Sequence, residues 1–173
     1  MKRQVPIVRD MLRDQHVSAV VALNESVVKV TSPMDVSRFN YLYELSTVKL
    51  VAEMEGDIVA FVMAMADGSA YDNANYHWFS DRLEQFLYVD RIVVSGACRG
   101  LGVGRLLYSH LHAAARQAQL PTLCAEIDLV PANPTSLRFH KKAGFTQMGT
   151  RLLDSGKQVS MQTCAVADAT PQS

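Results

Sequence analysis

The segment Arg99-Gly100-Leu101-Gly102-Val103-Gly104-Arg105 constrains this chain more than any other, because it joins an apolar run ending at Val94 to an apolar-striped run beginning at Val103. Three glycines at alternate positions let a backbone pass close to a ligand, and a helix beginning here aims its unpaired amides outward. Such an end attracts anions. Two phosphate patterns fail on spacing. Counting G-x-G-x-x-G from Gly102 puts Leu107 at the last glycine, and Gly100 is followed five residues later by Arg105, without the Lys-Ser or Lys-Thr pair of a Walker loop. What remains is a pyrophosphate-sized anion site of a third kind or a plain glycine-rich connection, and the loop alone does not choose between them.

At 173 residues the chain fits one domain, read here as residues 1–164 followed by a frayed, small and polar tail over 165–173. Lys plus Arg and Asp plus Glu number 17 each, so the net charge is zero. This argues against a nucleic-acid partner held by bulk electrostatics, and leaves self-association, as in a homodimer, open. Cys98, Cys124 and Cys164 are widely spaced, with neither a CxxC pair nor a zinc-type Cys/His cluster, so they read as reduced thiols and no metal is expected. No run approaches the roughly 20 apolar residues of a membrane span, and Met1-Lys2-Arg3-Gln4-Val5-Pro6 has no apolar signal core behind its charges. The expectation is a cytoplasmic protein with no membrane partner.

Val5 to Val8 reads as a first strand and Asp14 to Val28 as a helix, its valines recurring at helical spacing. The next helix has Ser32 as N-cap, Pro33 at N1 and Asp35 at N3, with Phe39, Leu42 and Tyr43 as its inner stripe. Val48 to Glu55 and Ile58 to Ala66 form a hairpin about Gly56-Asp57. Asp67 to Asp81 has no period but holds Tyr71, Tyr76, His77, Trp78 and Phe79, and reads equally as a binding flap or as a segment packing on its own sheet or a second subunit. Phe86 to Val94 is a strand apolar on both faces except at Asp90 and Arg91. The helix after the glycine loop shows an apolar face of Val103, Leu107, Leu111, Ala114 and Ala118 and is broken by Pro121. A strand over Leu123 to Leu129, a turn over Pro131 to Pro134, a short helix from Thr135 to Lys142 ended by Gly144, and a hairpin of Thr146 to Leu153 with Lys157 to Thr163 complete the pass. The order β-α-α-β-β-β-α-β-α-β-β describes a mixed α/β domain with a right-handed parallel crossover at its centre. A ligand crevice belongs at the carboxyl ends of those strands, where the glycine loop lies.

A second stretch, Asn133-Pro134-Thr135-Ser136-Leu137-Arg138-Phe139-His140-Lys141-Lys142-Ala143-Gly144-Phe145, gives the loop a context. Together with Arg99-x-x-Gly102-x-Gly104 and the preceding Ile92-x-Val94, it resembles the GNAT superfamily of acyl-CoA-dependent N-acetyltransferases. The resemblance implies a mixed, mostly antiparallel sheet with the crossover at its centre. It also implies acetyl-CoA as acyl donor, with its pyrophosphate on the amides of Arg99, Gly100, Leu101, Gly102, Val103, Gly104 and Arg105. The pantetheine arm would pair like an added strand with Ile92, Val93 and Val94, an amide there polarising the thioester. Asn133, with Ser136, Phe139 and His140 on the following helix, would complete the cofactor site.

The family often has Tyr where this chain has His140, so the proton for the leaving thiolate falls to an imidazole, whose reference pKa of about 6.5 suits neutral pH. The bland alternative is a surface histidine. For the base that deprotonates the attacking amine, Asp90 faces as Val94 does and Glu126 lies on the next strand. Either could instead be structural, Asp90 in an ion pair with Arg91. Cys98 and Cys124 match no motif of the family and read as structural. The expected activity is transfer of an acetyl group to an amine of a small molecule or protein by direct attack in a ternary complex. A non-catalytic acyl-CoA-sensing module and transfer of a longer acyl group remain alternatives. Tyr71, Tyr76, Trp78 and Phe79 hint at a partly apolar or cationic acceptor, whose identity no motif specifies.

Overall fold

The computed structural model describes residues 5–29 and 31–168. In chain order the elements are β1 (Ile7–Asp10), α1 (Arg13–Glu25), α2 (Val36–Leu45), β2 (Val48–Met54), β3 (Asp57–Ala66), α3 (Ala74–Ser80), β4 (Phe86–Val94), α4 (Val103–Gln117), β5 (Thr122–Val130), α5 (Pro134–Lys142), β6 (Thr146–Leu152) and β7 (Gln158–Ala165). The fold is α/β, with a seven-stranded mixed sheet in the order β1-β2-β3-β4-β5-β7-β6. β4 and β5 are parallel, whereas β1–β2, β2–β3, β5–β7 and β6–β7 are antiparallel. Two compact units share the chain, one holding residues up to Met65 with Val89–Leu111, the other Ala66–Tyr88 with the residues from His112 on. β4 and α4 therefore each contribute to both.

In the first unit, Val20, Phe39, Leu42, Val51, Phe61 and Leu107 are among the fully buried side chains. The β2–β3 turn consists of Glu55 and Gly56, with φ of 57° and 88°. Positive φ at both turn residues gives the mirror-image turn whose twist suits a hairpin. The turn thus lies one residue before the expected Gly56-Asp57, and Asp57 already pairs with Met54. α1 stops at Glu25, short of the expected Val28. The start of α2 also moves: Asp35, not Ser32, is the N-cap, its carboxylate accepting the Arg38 N–H at 2.7 Å. Ser32 has another task, its carbonyl accepting from Asn24 Nδ2 at 3.0 Å.

In the second unit, the segment expected to lack regular structure contains α3. Asn73 caps it, accepting from the N–H groups of Asn75 and Tyr76 at 3.0 Å each. Tyr71, Tyr76 and Phe79 are buried against Phe86 and Tyr88, with Tyr76–Phe86 centroids 5.6 Å apart and Tyr76–Tyr88 5.5 Å apart. Of the two readings of this segment, packing on its own sheet is the one found. Trp78 is half-buried, with the Arg82 guanidinium 3.9 Å from its ring centre and Gly149 so close that a Cβ there would come within 2.8 Å of it. The aromatic hint about the acceptor therefore falls away. β5 pairs along its length with β7, and with β4 over Phe86–Tyr88 opposite Thr122–Cys124. On α4, Val103, Leu107 and Leu111 are buried as expected, but Tyr108 and Ala115 are buried where Ala114 and Ala118 were expected.

The tail is held rather than frayed where it is described. Ala165 ends β7, Val166 N–H donates to the Pro121 carbonyl at 2.8 Å, and Arg116 donates to the Ala167 carbonyl at 2.6 Å. The rest of the expected tail, residues 169–173, and the start of the chain, residues 1–4, lie outside the described residues. No helix among the described residues is long and apolar enough to cross a membrane. Because Phe79 fills the aromatic cluster, Phe79→Ala should destabilise the protein by about 3–5 kcal/mol. Chemical denaturation checks this, and a loss below about 1 kcal/mol would return 67–81 to the status of a surface flap.

Candidate functional site

The glycine loop belongs to the first unit. β4 ends at Val94, Ser95 N–H donates to the Val59 carbonyl at 2.8 Å, and a single 3-10 turn over Gly96–Cys98 leads to Arg99. Gly100 and Gly102 have φ of 76° and 84°, a region that costs any other L-residue energy. Space is not the reason for glycine here, since a Cβ at either would meet nothing within 4 Å. The first amide bonded back within the helix is that of Leu106, to the Gly102 carbonyl at 3.0 Å. The N–H groups of Val103, Gly104 and Arg105 thus occupy the first turn, where helix geometry supplies no acceptor. No acidic residue sits in that turn, and Arg99, Gly100, Leu101, Gly102 and Arg105 are exposed. The arrangement suits an anion. Upstream, Val93 is buried and Ile92 and Val94 are half-buried.

Asp90 lies just before this stretch, and it is not an open carboxylate. Its Oδ2 accepts from Arg91 Nε at 2.9 Å, with 5% and 4% of the two side chains exposed. Arg91 Nη1 also donates to Asn24 Oδ1 at 3.1 Å and to the Ser32 carbonyl at 3.2 Å. Neighbours on a strand point to opposite faces, yet the long guanidinium reaches round to its neighbour.

In the second unit, Asn133 is the N-cap of α5, its Oδ1 accepting the Ser136 N–H at 3.2 Å. His140 is 4% exposed, between the rings of Phe139 and Phe145, whose centroids lie 5.3 and 5.1 Å away. It is therefore not a surface histidine. Its Nδ1 is 2.8 Å from the Ser136 carbonyl and 3.2 Å from the Ser136 hydroxyl. A carbonyl only accepts, so Nδ1 carries the proton and Nε2 of the neutral ring carries a lone pair. Burial pushes the imidazole pKa down, partly offset by the bond to Ser136. Giving a proton from Nε2 would require the imidazolium that burial disfavours.

Glu126, on β5, is half-buried, and its Oε1 accepts from the Tyr88 hydroxyl at 2.8 Å. Two residues along the same strand, Asp128 accepts from Lys157 Nζ at 2.9 Å. Cys124, two residues before Glu126, is buried, and desolvation aided by the Glu126 charge pushes its thiol well up. It is no ready nucleophile. Cys98 is buried too. Among the described residues no group of three His, Cys, Asp or Glu side chains could hold a metal ion. The sequence reading missed Tyr88 as the partner of Glu126. The available signal was Tyr88 lying two positions from Asp90 on a strand expected to run beside Glu126.

The acetyltransferase (GNAT) family model matches residues 10–145. The chain belongs to this family. Among curated proteins, no sequence matches the chain. Solved structures share its fold: Ard1 from Thermoplasma volcanium superposes with a TM-score of 0.76 at 15% identity, covering 94% of this chain and 99% of that one. The ribosomal-protein-S18-alanine N-acetyltransferase from Escherichia coli gives 0.70 at 13% identity, covering 96% and 97%. The structure of yncA from Salmonella typhimurium with its cofactor acetyl-CoA gives 0.71 at 19% identity, covering 98% of each chain. Within this GNAT protein, the residues expected at the coenzyme and at the chemistry are distributed over both units, the glycine loop, Ile92–Val94 and Asp90 in the first, Glu126, Asn133, Ser136, Phe139 and His140 in the second.

Two measurements test the buried charges. Arg91→Ala strands a buried carboxylate, so it should cost about 3–5 kcal/mol in chemical denaturation, and a near-neutral result would contradict the ion-pair assignment. For His140, whose folded pKa lies below the unfolded 6.5, the native state binds fewer protons than the unfolded chain between the two values. Its contribution is present above 6.5 and is lost as the pH falls through the folded pKa. His112 acts in the same sense, its pKa lowered by burial and then by Arg116. Tm should therefore fall between pH 7.5 and 5, and His140→Gln and His112→Gln should each reduce that fall. A Tm difference unchanged in both variants would refute the sign.

Proposed function

We propose that this GNAT protein is an N-acetyltransferase that moves the acetyl group of acetyl-CoA to an amine of a small molecule or protein by direct attack in a ternary complex. The observation that carries this reading is the loop of residues 99–105, with glycines at positive φ and the first-turn amides of α4 in an exposed, acid-free setting, in a chain of this family. Backbone amides at a helix start can take a pyrophosphate without any lysine. In this reading Ile92, Val93 and Val94 offer strand amides and carbonyls to the pantetheine arm, one amide polarising the thioester carbonyl, and Asn133 holds the arm. The protein works in the cytoplasm.

The acceptor nitrogen attacks the thioester carbon, a C–N bond forms, and the C–S bond breaks as the tetrahedral intermediate collapses. Glu126 receives the proton the amine must shed. Asp90, closed by a guanidinium, is left to structure. The thiolate takes its proton from solvent, because His140 has its Nδ1 proton committed to Ser136 and no easily formed imidazolium. His140 then fixes α5. Coenzyme sensing without turnover is favoured by the same commitment of the His140 proton to Ser136, and one assay separates the two readings.

That assay is thiol release from acetyl-CoA with alanyl peptides, free amino acids, polyamines and arylalkylamines as acceptors, alongside acetyl-CoA binding. Turnover with at least one class is expected, while tight binding without turnover across the set would favour sensing. Longer acyl-CoAs in the same assay test the chain length of the acyl group. Gly102→Ala adds strain of about 1–2 kcal/mol and puts a methyl in the path of the anion, so KM for acetyl-CoA should rise about tenfold or more with kcat less affected. An unchanged KM would remove the pyrophosphate from this loop.

A further inference from the structure

Tyr88 stands at the third and last paired position of the parallel ladder between β4 and β5, one residue past Leu87 and beside Cys124. Its ring is fully buried, 5.5 Å from Tyr76, 5.9 Å from Phe79 and 6.3 Å from Tyr71 between centroids. The three tyrosines of this cluster send their hydroxyls to different places. That of Tyr76 donates to the Ala66 carbonyl at 2.7 Å and accepts the Ser69 N–H at 2.9 Å. That of Tyr71 lies 3.4 Å from Asn73 Nδ2. That of Tyr88 meets the Glu126 carboxylate at 2.8 Å, across 38 residues of chain. A glutamate has three rotatable bonds and a broad terminal torsion, so an isolated one points in many directions. The phenol, locked by its ring neighbours, has few.

We propose that Tyr88 is a positioning residue whose hydroxyl, bonded to Glu126 Oε1, fixes the direction in which the Glu126 carboxylate presents itself to the acceptor amine. The inference rests on Glu126 being the base, as argued above. The bond also sets the carboxylate's working range. A hydroxyl donating to the ionised carboxylate favours that form, while remaining neutral, so it holds the base ready without cancelling its charge. Near Glu126 on β5, Cys124 is held protonated and Asp128 is paired with Lys157, and Met161 opposite on β7 is apolar.

Steady-state kinetics of full-length wild type, Tyr88→Phe, Glu126→Gln, Glu126→Asp and the Tyr88→Phe/Glu126→Gln double variant test this, with acetyl-CoA and the amine that turns over fastest in the acceptor set. Glu126→Gln should lose about 100-fold or more in kcat. Tyr88→Phe keeps the ring and should lose about tenfold in kcat with KM for acetyl-CoA unchanged. Its kcat/KM should also fall off at a higher pH on the acid side, because the carboxyl without its donor protonates more readily. The double variant should be no slower than Glu126→Gln, since Tyr88 acts only through that carboxylate. Glu126→Asp, which withdraws the carboxylate from Tyr88 without touching the aromatic cluster, should lose at least as much as Tyr88→Phe and serves should the latter fail to fold.

A Tyr88→Phe enzyme with wild-type kcat and acid limb, or a fully active Glu126→Asp, overturns the positioning role and leaves the base standing if Glu126→Gln is inactive. A fully active Glu126→Gln, or no turnover of wild type with any amine, overturns the base and this inference with it.

Discussion

The guanidinium of Arg91 sets conditions that much of the first unit meets. A buried guanidinium carries five N–H donors and no acceptor, so placing it in β4 obliges its surroundings to supply acceptors. Asp90 supplies a charge, Asn24 a side-chain oxygen from the last turns of α1, and Ser32 a backbone carbonyl from the stretch leading to α2. Asn24, with no exposed surface, closes the ring by donating to the same Ser32 carbonyl. One buried charge thereby fixes the end of α1 and the approach to α2 on the strand that runs on to Val94 and the glycine loop.

The two candidate carboxylates show how the donor decides the chemistry. Asp90 faces a buried cation, the Arg91 guanidinium, which compensates its charge. Glu126 faces a phenol, which orients the carboxylate but leaves its charge uncompensated by that bond. The two carboxylates thus differ by what sits 2.9 and 2.8 Å away, a guanidinium for Asp90 and a phenol for Glu126, more than by their own chemistry.

What could be read from the sequence follows from how local each cause is. The glycine loop, the hairpins and the short helix α5 are set by residues within a few positions, and they are found within a residue or so of where the pattern put them. The start of α2 was misread because Ser32-Pro33 and Asp35 are both acceptable local signals; the choice coincides with a bond from Arg91, 59 residues away, to the Ser32 carbonyl. α3 is only seven residues long, and its burial depends on Phe86 and Tyr88 on a later strand. His140 looks like a surface position in a basic helix turn until Phe145 folds over it. The resemblance of motifs named residues expected at a coenzyme; it could not say that Tyr88 and Glu126 meet, which follows from the parallel pairing of their strands.

The strand order β5-β7-β6 carries a consequence for how the protein is made. β6 leaves the ribosome before β7, yet it has no place of its own beside β5, because β7 lies between them. Until residues 158–165 emerge, both β5 and β6 present unpaired edges, and β5 is rich in apolar side chains. The second unit cannot close progressively behind the growing chain. Its sheet is completed in one late event, when the strand synthesised last of the three is inserted between the two that wait for it.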